Sequence, residues 1–165
     1  MGTSSKLSQV QAALESSGTP IRLEEPASAK AVPTLVVDLG ADDGGRPRNL
    51  LINLMPVEDE VDATDFLQYL VPLPFDGAKQ LDEVRLAVTI VNNFVAIGHF
   101  GVTGDGGLFY RYVLATPSGE AVDPGMTIEL VQFITYHQEH YADYLEGVCQ
   151  GEISVLVLED VLKDT

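Results

Sequence analysis

The sequence predicts an α+β fold, an antiparallel sheet with helices packed on it. Three observations carry that prediction. Stretches of strong β character, such as Thr34–Gly40 (TLVVDLG) and Asn49–Met55 (NLLINLM), are separated by short polar turns. Connections of hairpin length demand antiparallel pairing, because a parallel step needs a longer crossover. Other stretches carry apolar residues at helical spacing and supply the layer that covers the sheet. With 165 residues, 45% of them hydrophobic and 21% charged, the chain is long enough to bury a core without metals or cross-links. One domain over residues 1–165 is expected, with 152–165 as a C-terminal tail.

The elements follow in order. Ser4 or Ser5 can cap a first helix, in which Leu7, Val10 and Leu14 recur on one face and Gly18 ends the run. A strand at Pro20–Glu25 precedes a loop rich in Pro and Ala. The two strands quoted above flank ADDGGRPR, where Asp and Gly are expected to supply positive φ. In the second of them Leu50, Ile52 and Leu54 share a face. Phe66–Leu73 reads as a fourth strand, shut by Pro72 and Pro74. Asp82 can cap a second helix over about Glu83–Ile97, with Val84, Ala87, Val88, Val91, Phe94 and Val95 inward and Asn92 and Asn93 on the polar face. Leu86, Ile90, Phe94 and Ile97 make this helix more apolar than one packing surface requires, which suggests a dimer or groove surface. Leu108–Ala115 is a strand. Asp123 as N-cap and Pro124 at the first helical position start the longest helix, whose buried stripe is Leu130, Ile134, His137, Tyr141, Leu145 and Val148. In the tail, β-branched residues favour a strand, whereas Ile153, Leu156, Val157 and Val161 fit a short helix, the preferred of the two readings.

Nine Lys plus Arg against 25 Asp plus Glu give a formal charge of −16. Direct binding to nucleic-acid phosphates needs clustered cations, and an anionic membrane surface needs the same. Neither is expected; a basic protein partner is. The single cysteine, Cys149, excludes an intramolecular disulfide and a Cys-built zinc site, and suits a reducing cytoplasm. Residues 1–17 lack the apolar run of a secretory signal.

The chemical inventory is short. GVTGDGG (Gly101–Gly107) resembles a phosphate loop in composition, yet it leads into a strand rather than a helix, so it reads as a hairpin turn. His137 and His140 stand three apart on a helix, and a metal would need Cys149 or Asp143 as a third ligand. The plainer reading is a core His137 beside Tyr136, Tyr141 and Tyr144. Cys149 near a helix C-terminus has its thiol pKa raised by the dipole and is expected to fill core space. Five carboxylates, Glu58, Asp59, Glu60, Asp62 and Asp65, crowd one loop without the spacing of a calcium loop. They read as a solvated loop guarding a sheet edge, or as a docking patch for a basic partner. No catalytic residues, cofactor or metal site are expected.

The segment from Val91 to Gly151 carries an Asn-containing helix end, a short Gly/Phe strand, a Gly-Asp turn, a strand with the pair Tyr110–Arg111, and a long helix with a late Tyr144–Leu145. This pattern, with FLQYLVPLP at 66–74, resembles the YbjN family of bacterial proteins, which is similar in fold to the class I chaperones of type III secretion. The resemblance implies an acidic α+β homodimer that holds an extended client segment, with no catalytic residues. The leading expectation is therefore a cytoplasmic, non-catalytic chaperone or adaptor whose client is basic, such as a nucleic-acid-binding protein. A small-molecule sensor, with a pocket lined by Tyr112, Tyr141 and Tyr144, and a metal-dependent hydrolase built on His137 and His140 are the competing readings.

Overall fold

The computed structural model describes residues 4–26, 28, 31–57 and 62–164. Among them the helices are α1 (Ser4–Ser16), α2 (Leu81–Asn92), α3 (Pro124–Gln150) and α4 (Val155–Lys163). The strands are β1 (Ile21–Glu24), β2 (Thr34–Ala41), β3 (Pro47–Leu54), β4 (Thr64–Asp76), β5 (His99–Val102) and β6 (Gly107–Pro117). They form a six-stranded antiparallel sheet in the order β1-β2-β3-β4-β6-β5. The fold is α+β, as the strand spacing predicted. Two compact units make up the chain, Met1–Leu70 with Tyr112–Phe133 and Val71–Arg111 with Ile134–Thr165.

In the first unit, Leu7, Val10 and Leu14 are buried on the predicted stripe of α1. The helix closes at Gly18, whose φ of +76° only glycine adopts without strain. Pairing Leu35 with Ile52 and Val37 with Leu50 places four apolar side chains on one face of β2 and β3. All four are fully buried, each contributing about 1.5–3 kcal/mol by leaving water. The β2–β3 turn differs from expectation at Asp42. Among the described residues no non-glycine residue has positive φ, and in this turn Gly45 supplies it instead. Asp42 works through its carboxylate, which accepts the Arg46 backbone N–H at 2.8 Å and pairs with the Arg46 guanidinium at 2.7 Å. The backbone hydrogen bond and that guanidinium hold the carboxyl below its ordinary pKa.

Lys6 is the unexpected member of this unit. Its side chain is 5% exposed. The ammonium donates to Thr116 Oγ1 at 2.8 Å and to the Pro117 carbonyl, and pairs with Asp65 at 3.4 Å. Three oxygen partners satisfy a charge that burial would otherwise penalise by several kcal/mol. Gln9 Oε1 adds an acceptor for the Val122 N–H at 2.8 Å, so α1 is tied to the chain on both sides of residue 120.

β4 corrects a second expectation, since it runs through Pro72 and Pro74 to Asp76. Proline breaks a strand only where its missing N–H was needed in the ladder. Residues two apart present their N–H groups on the same side, so both gaps fall on one side of the strand.

In the second unit α2 stops at Asn92 rather than Ile97, and it starts at Leu81, with Asp82 inside the first turn instead of capping it. Asn92 does not mark the polar face. Its amide spans eight residues to pair with both backbone groups of Phe100, accepting the N–H at 2.8 Å and donating to the carbonyl at 2.9 Å. The segment between is stitched by three more side chains. The Tyr141 hydroxyl donates to the Phe94 carbonyl at 3.1 Å, His137 Nε2 accepts the Ala96 N–H at 3.3 Å, and the Tyr110 hydroxyl donates to the Ile97 carbonyl at 2.6 Å. Gly98 is required at the end of this segment: its φ is +67°, and a Cβ there would lie 2.5 Å from the Tyr110 hydroxyl.

The glycine run forms the β5–β6 hairpin, as predicted. Thr103 and Gly107 close it at 2.8 Å, and Gly106 has φ +97°. Asp123 caps α3 by accepting the Met126 N–H at 2.6 Å, and the predicted stripe from Leu130 to Val148 is buried. The tail is helical, capped by Ser154 through the Leu156 N–H. Its buried face is Val155, Leu158 and Leu162, opposite to the face expected, and it packs on α2; Leu156, Val157 and Val161 are exposed.

Replacing Asn92 with Leu strands two backbone groups of a buried residue. Chemical denaturation is expected to show a loss of about 2–4 kcal/mol, with Asn92→Asp, which keeps the acceptor, losing less. A loss below about 0.5 kcal/mol in the Leu variant would mean that water replaces the amide.

Candidate functional site

The largest cavity described lies in the first unit and measures about 450 Å³. α1 contributes Leu7, Ser8 and Gln11 to its wall; the end of β1 contributes Leu23 and Glu25. Val32 and Pro33 precede β2, and Leu54, Met55 and Pro56 close the far side where β3 ends. The local sequence explains the shape. Helix α1 buries Leu7 and Leu14 and leaves Gln11 half-exposed, held by its hydrogen bond to Glu15 at 2.9 Å. Leu23 is 42% exposed in a strand whose other members include Arg22 and Glu24, so an apolar side chain stands among charges.

β1 is also the first strand of the sheet order and pairs with β2 over four residues. An edge strand of this kind keeps one row of backbone donors and acceptors for an added strand. On this strand the exposed Arg22 and Glu24 pair at 3.1 Å. The chain leaving the groove at Pro56 enters the acidic run within two residues. The site therefore combines an apolar trough, a strand edge and dense negative charge in the adjoining sequence.

Of the five carboxylates, Glu58, Asp59 and Glu60 lie outside the described residues. Asp62 is exposed. Asp65 is turned to structural use, as the counter-ion of Lys6. The four apolar residues expected to make a dimer or groove surface on the second helix separate: Leu86 is 50% exposed and Ile90 half-buried on α2, whereas Phe94 and Ile97 lie in the stitched segment beyond the helix end, where α2 does not reach.

His137 is a core residue, 1% exposed, and its ring stacks on Tyr110 at 5.8 Å and on Tyr141 at 5.9 Å. His140 packs on Tyr136 at 5.4 Å. Tyr110 takes the place that the spacing had given to Tyr144. Among the described residues no three of His, Cys, Asp and Glu gather as a metal site, and no helix is long and apolar enough to cross a membrane. The three tyrosines of the expected pocket are not in the walls of the two cavities described, at β1 and at the start of α3. Tyr112 instead packs against Tyr69 in the first unit, ring centres 6.1 Å apart.

Sequence reading missed the groove because its parts, Leu7, Leu23 and Leu54, come from three elements and each looks like ordinary core. The available signal was Leu23, a large apolar residue between two charged ones in a short strand.

Cys149 is buried, and burial first, then the carboxylates of Asp76 and Glu146, push its thiol up to about 11. The folded state thus favours the neutral thiol. Its contribution to stability is complete below the unfolded value near 9.0 and is lost as pH rises toward 11. Unfolding free energy should therefore fall less steeply between pH 9 and pH 11 in Cys149→Ala than in the parent. Parallel decline in the two proteins would assign the loss to other groups.

No family model matches the chain, and no curated protein matches it.

Proposed function

We propose that this chain is a cytoplasmic, non-catalytic protein-binding module of chaperone or adaptor type, holding an extended basic segment of a protein partner. The observation that carries the reading is the apolar trough beside edge strand β1, in a chain of net charge −16. A client strand would pair its backbone along β1 and seat alternate apolar side chains in the trough. Its intervening lysines or arginines would be drawn by the chain's net charge of −16. Backbone pairing supplies affinity with little sequence demand, and charge selects the class of partner. Proteins that bind nucleic acid are rich in such segments, so they qualify as clients although nucleic acid itself does not.

The resemblance to YbjN proteins adds a homodimer to this proposal. Leu86 on α2 and Leu156, Val157 and Val161 on α4 are exposed apolar residues on two helices that pack together, and a second copy would cover them. Sedimentation equilibrium is expected to give a dimer that Leu156→Glu converts to monomer; a monomeric parent protein would remove the dimer from the proposal.

The binding reading is tested with a labelled peptide of alternating Lys and Val. Fluorescence anisotropy should show binding that weakens roughly tenfold between low and high salt, and Leu23→Asp should weaken it by about tenfold or more at low salt. Equal binding of an alternating Glu and Val peptide would overturn the assignment of a basic client. Failure of both peptides to bind would overturn the docking site.

A further inference from the structure

The backbone of β1 fixes how a further strand would meet it. The Pro20 carbonyl accepts the Asp38 N–H at 3.0 Å, and the antiparallel ladder with β2 continues from Ile21 opposite Val37 to Glu24 opposite Thr34. Hydrogen-bonded and non-hydrogen-bonded pairs alternate in such a ladder. Arg22 and Glu24 therefore direct their backbone groups to Val36 and Thr34. The N–H and C=O groups of Ile21 and Leu23 point the other way, toward the open edge. Among the described residues no side chain is bonded to them. The opposite edge of the sheet differs. There Thr103 and Gly107 form a hydrogen-bonded pair, so the outward groups on β5 include those of Phe100, and the Asn92 amide takes both.

The same alternation sorts the side chains of β1. Leu23 shares a face with its fully buried partner Leu35 and lines the trough with Leu7 of α1. Arg22 and Glu24 stand on the other face, their side chains 60% and 56% exposed. Toward an added antiparallel strand these two hold non-hydrogen-bonded positions, where facing side chains come closest. Opposite charges stabilise such a pair and like charges destabilise it. Antiparallel pairing is the slightly more stable arrangement and is the one β1, β2, β3 and β4 use. We propose that β1 receives an antiparallel strand whose side chains read, from its N-terminus, basic, apolar, acidic. The lysine or arginine stands opposite Glu24, the apolar residue opposite Leu23 in the trough, and the aspartate or glutamate opposite Arg22. This inference rests on the reading of β1 as the docking edge and adds an order of charges that net charge alone does not specify.

Two dye-labelled peptides of one composition and one net charge separate charge order from overall attraction. Thr-Val-Lys-Val-Glu-Val-Thr has the proposed order, and Thr-Val-Glu-Val-Lys-Val-Thr has the reverse. In fluorescence anisotropy at low salt the first is expected to bind roughly fivefold more tightly. Exchanging the charges on the protein, Arg22→Glu together with Glu24→Arg, should turn the preference around. Should that variant not fold, Arg22→Gln alone should reduce the preference to about twofold. Equal affinities in the parent protein, tighter binding of the reverse-order peptide, or a preference unmoved by these substitutions would overturn the charge order and leave β1 as the docking edge. Failure of both peptides to bind would overturn the docking edge and the charge order together.

Discussion

Backbone groups taken out of water must find partners, and in the second unit that requirement organises nearly everything else. After α2 ends, the chain from Phe94 to Phe100 has no helix or ladder of its own until β5 begins. Asn92, Tyr110, His137 and Tyr141 supply the missing partners from α2, β6 and α3. Three of these side chains, Tyr110, His137 and Tyr141, also form the aromatic centre of the unit with Phe100. Phe100 meets Tyr110 at 5.3 Å and Tyr141 at 6.3 Å, and His137 stacks between the two tyrosines. Packing and hydrogen bonding are thus carried by one set of residues, and none can be exchanged for a plain hydrocarbon without orphaning a backbone group. His137 is kept by this duty, which accounts for a buried imidazole without invoking a metal.

The first unit meets the same requirement with a charge. Lys6 carries its ammonium into the interior and finds Thr116, Pro117 and Asp65 there. Because those oxygens are displaced in sequence by more than a hundred residues or sit on β4, the lysine sets where α1 lies within the unit. A leucine in its place would add apolar contact and lose that directional demand. Placement of α1 in turn shapes the trough beside β1, one wall of which is Leu7, the residue next to Lys6. The smaller cavity, at the start of α3, shares Thr116 and Pro117 with the lysine network.

Hydrophobic periodicity was sufficient for the regular elements. The stripes Leu7–Val10–Leu14 and Leu130–Ile134–His137–Tyr141–Leu145–Val148 are buried as spaced, and so are the alternating Leu50, Ile52 and Leu54. Turn chemistry placed the β5–β6 hairpin and the Asp123 cap for the same reason: both signals are local, and neighbours in sequence decide them. Where expectation failed, the deciding partner was distant. Asn92 looks like a polar-face residue until Phe100 is known to need it. Leu156 and Val157 fit a helical stripe, but the opposite stripe of Val155, Leu158 and Leu162 is the one that reaches α2. Periodicity shows that a helix has apolar faces; it does not say which face meets a neighbour.

By itself, then, the sequence determined the fold class, the order of the regular elements up to the tail and the acidic character. These follow from propensity, period and composition, all of which act within a few residues or over the whole chain. Tertiary structure alone decided the end of α2 at Asn92, the burial of Lys6 with Asp65 and the trough at β1. Each depends on which groups from separate elements come within about 3 Å of one another. No local pattern encodes that distance, because it is set by the packing of elements far apart in sequence.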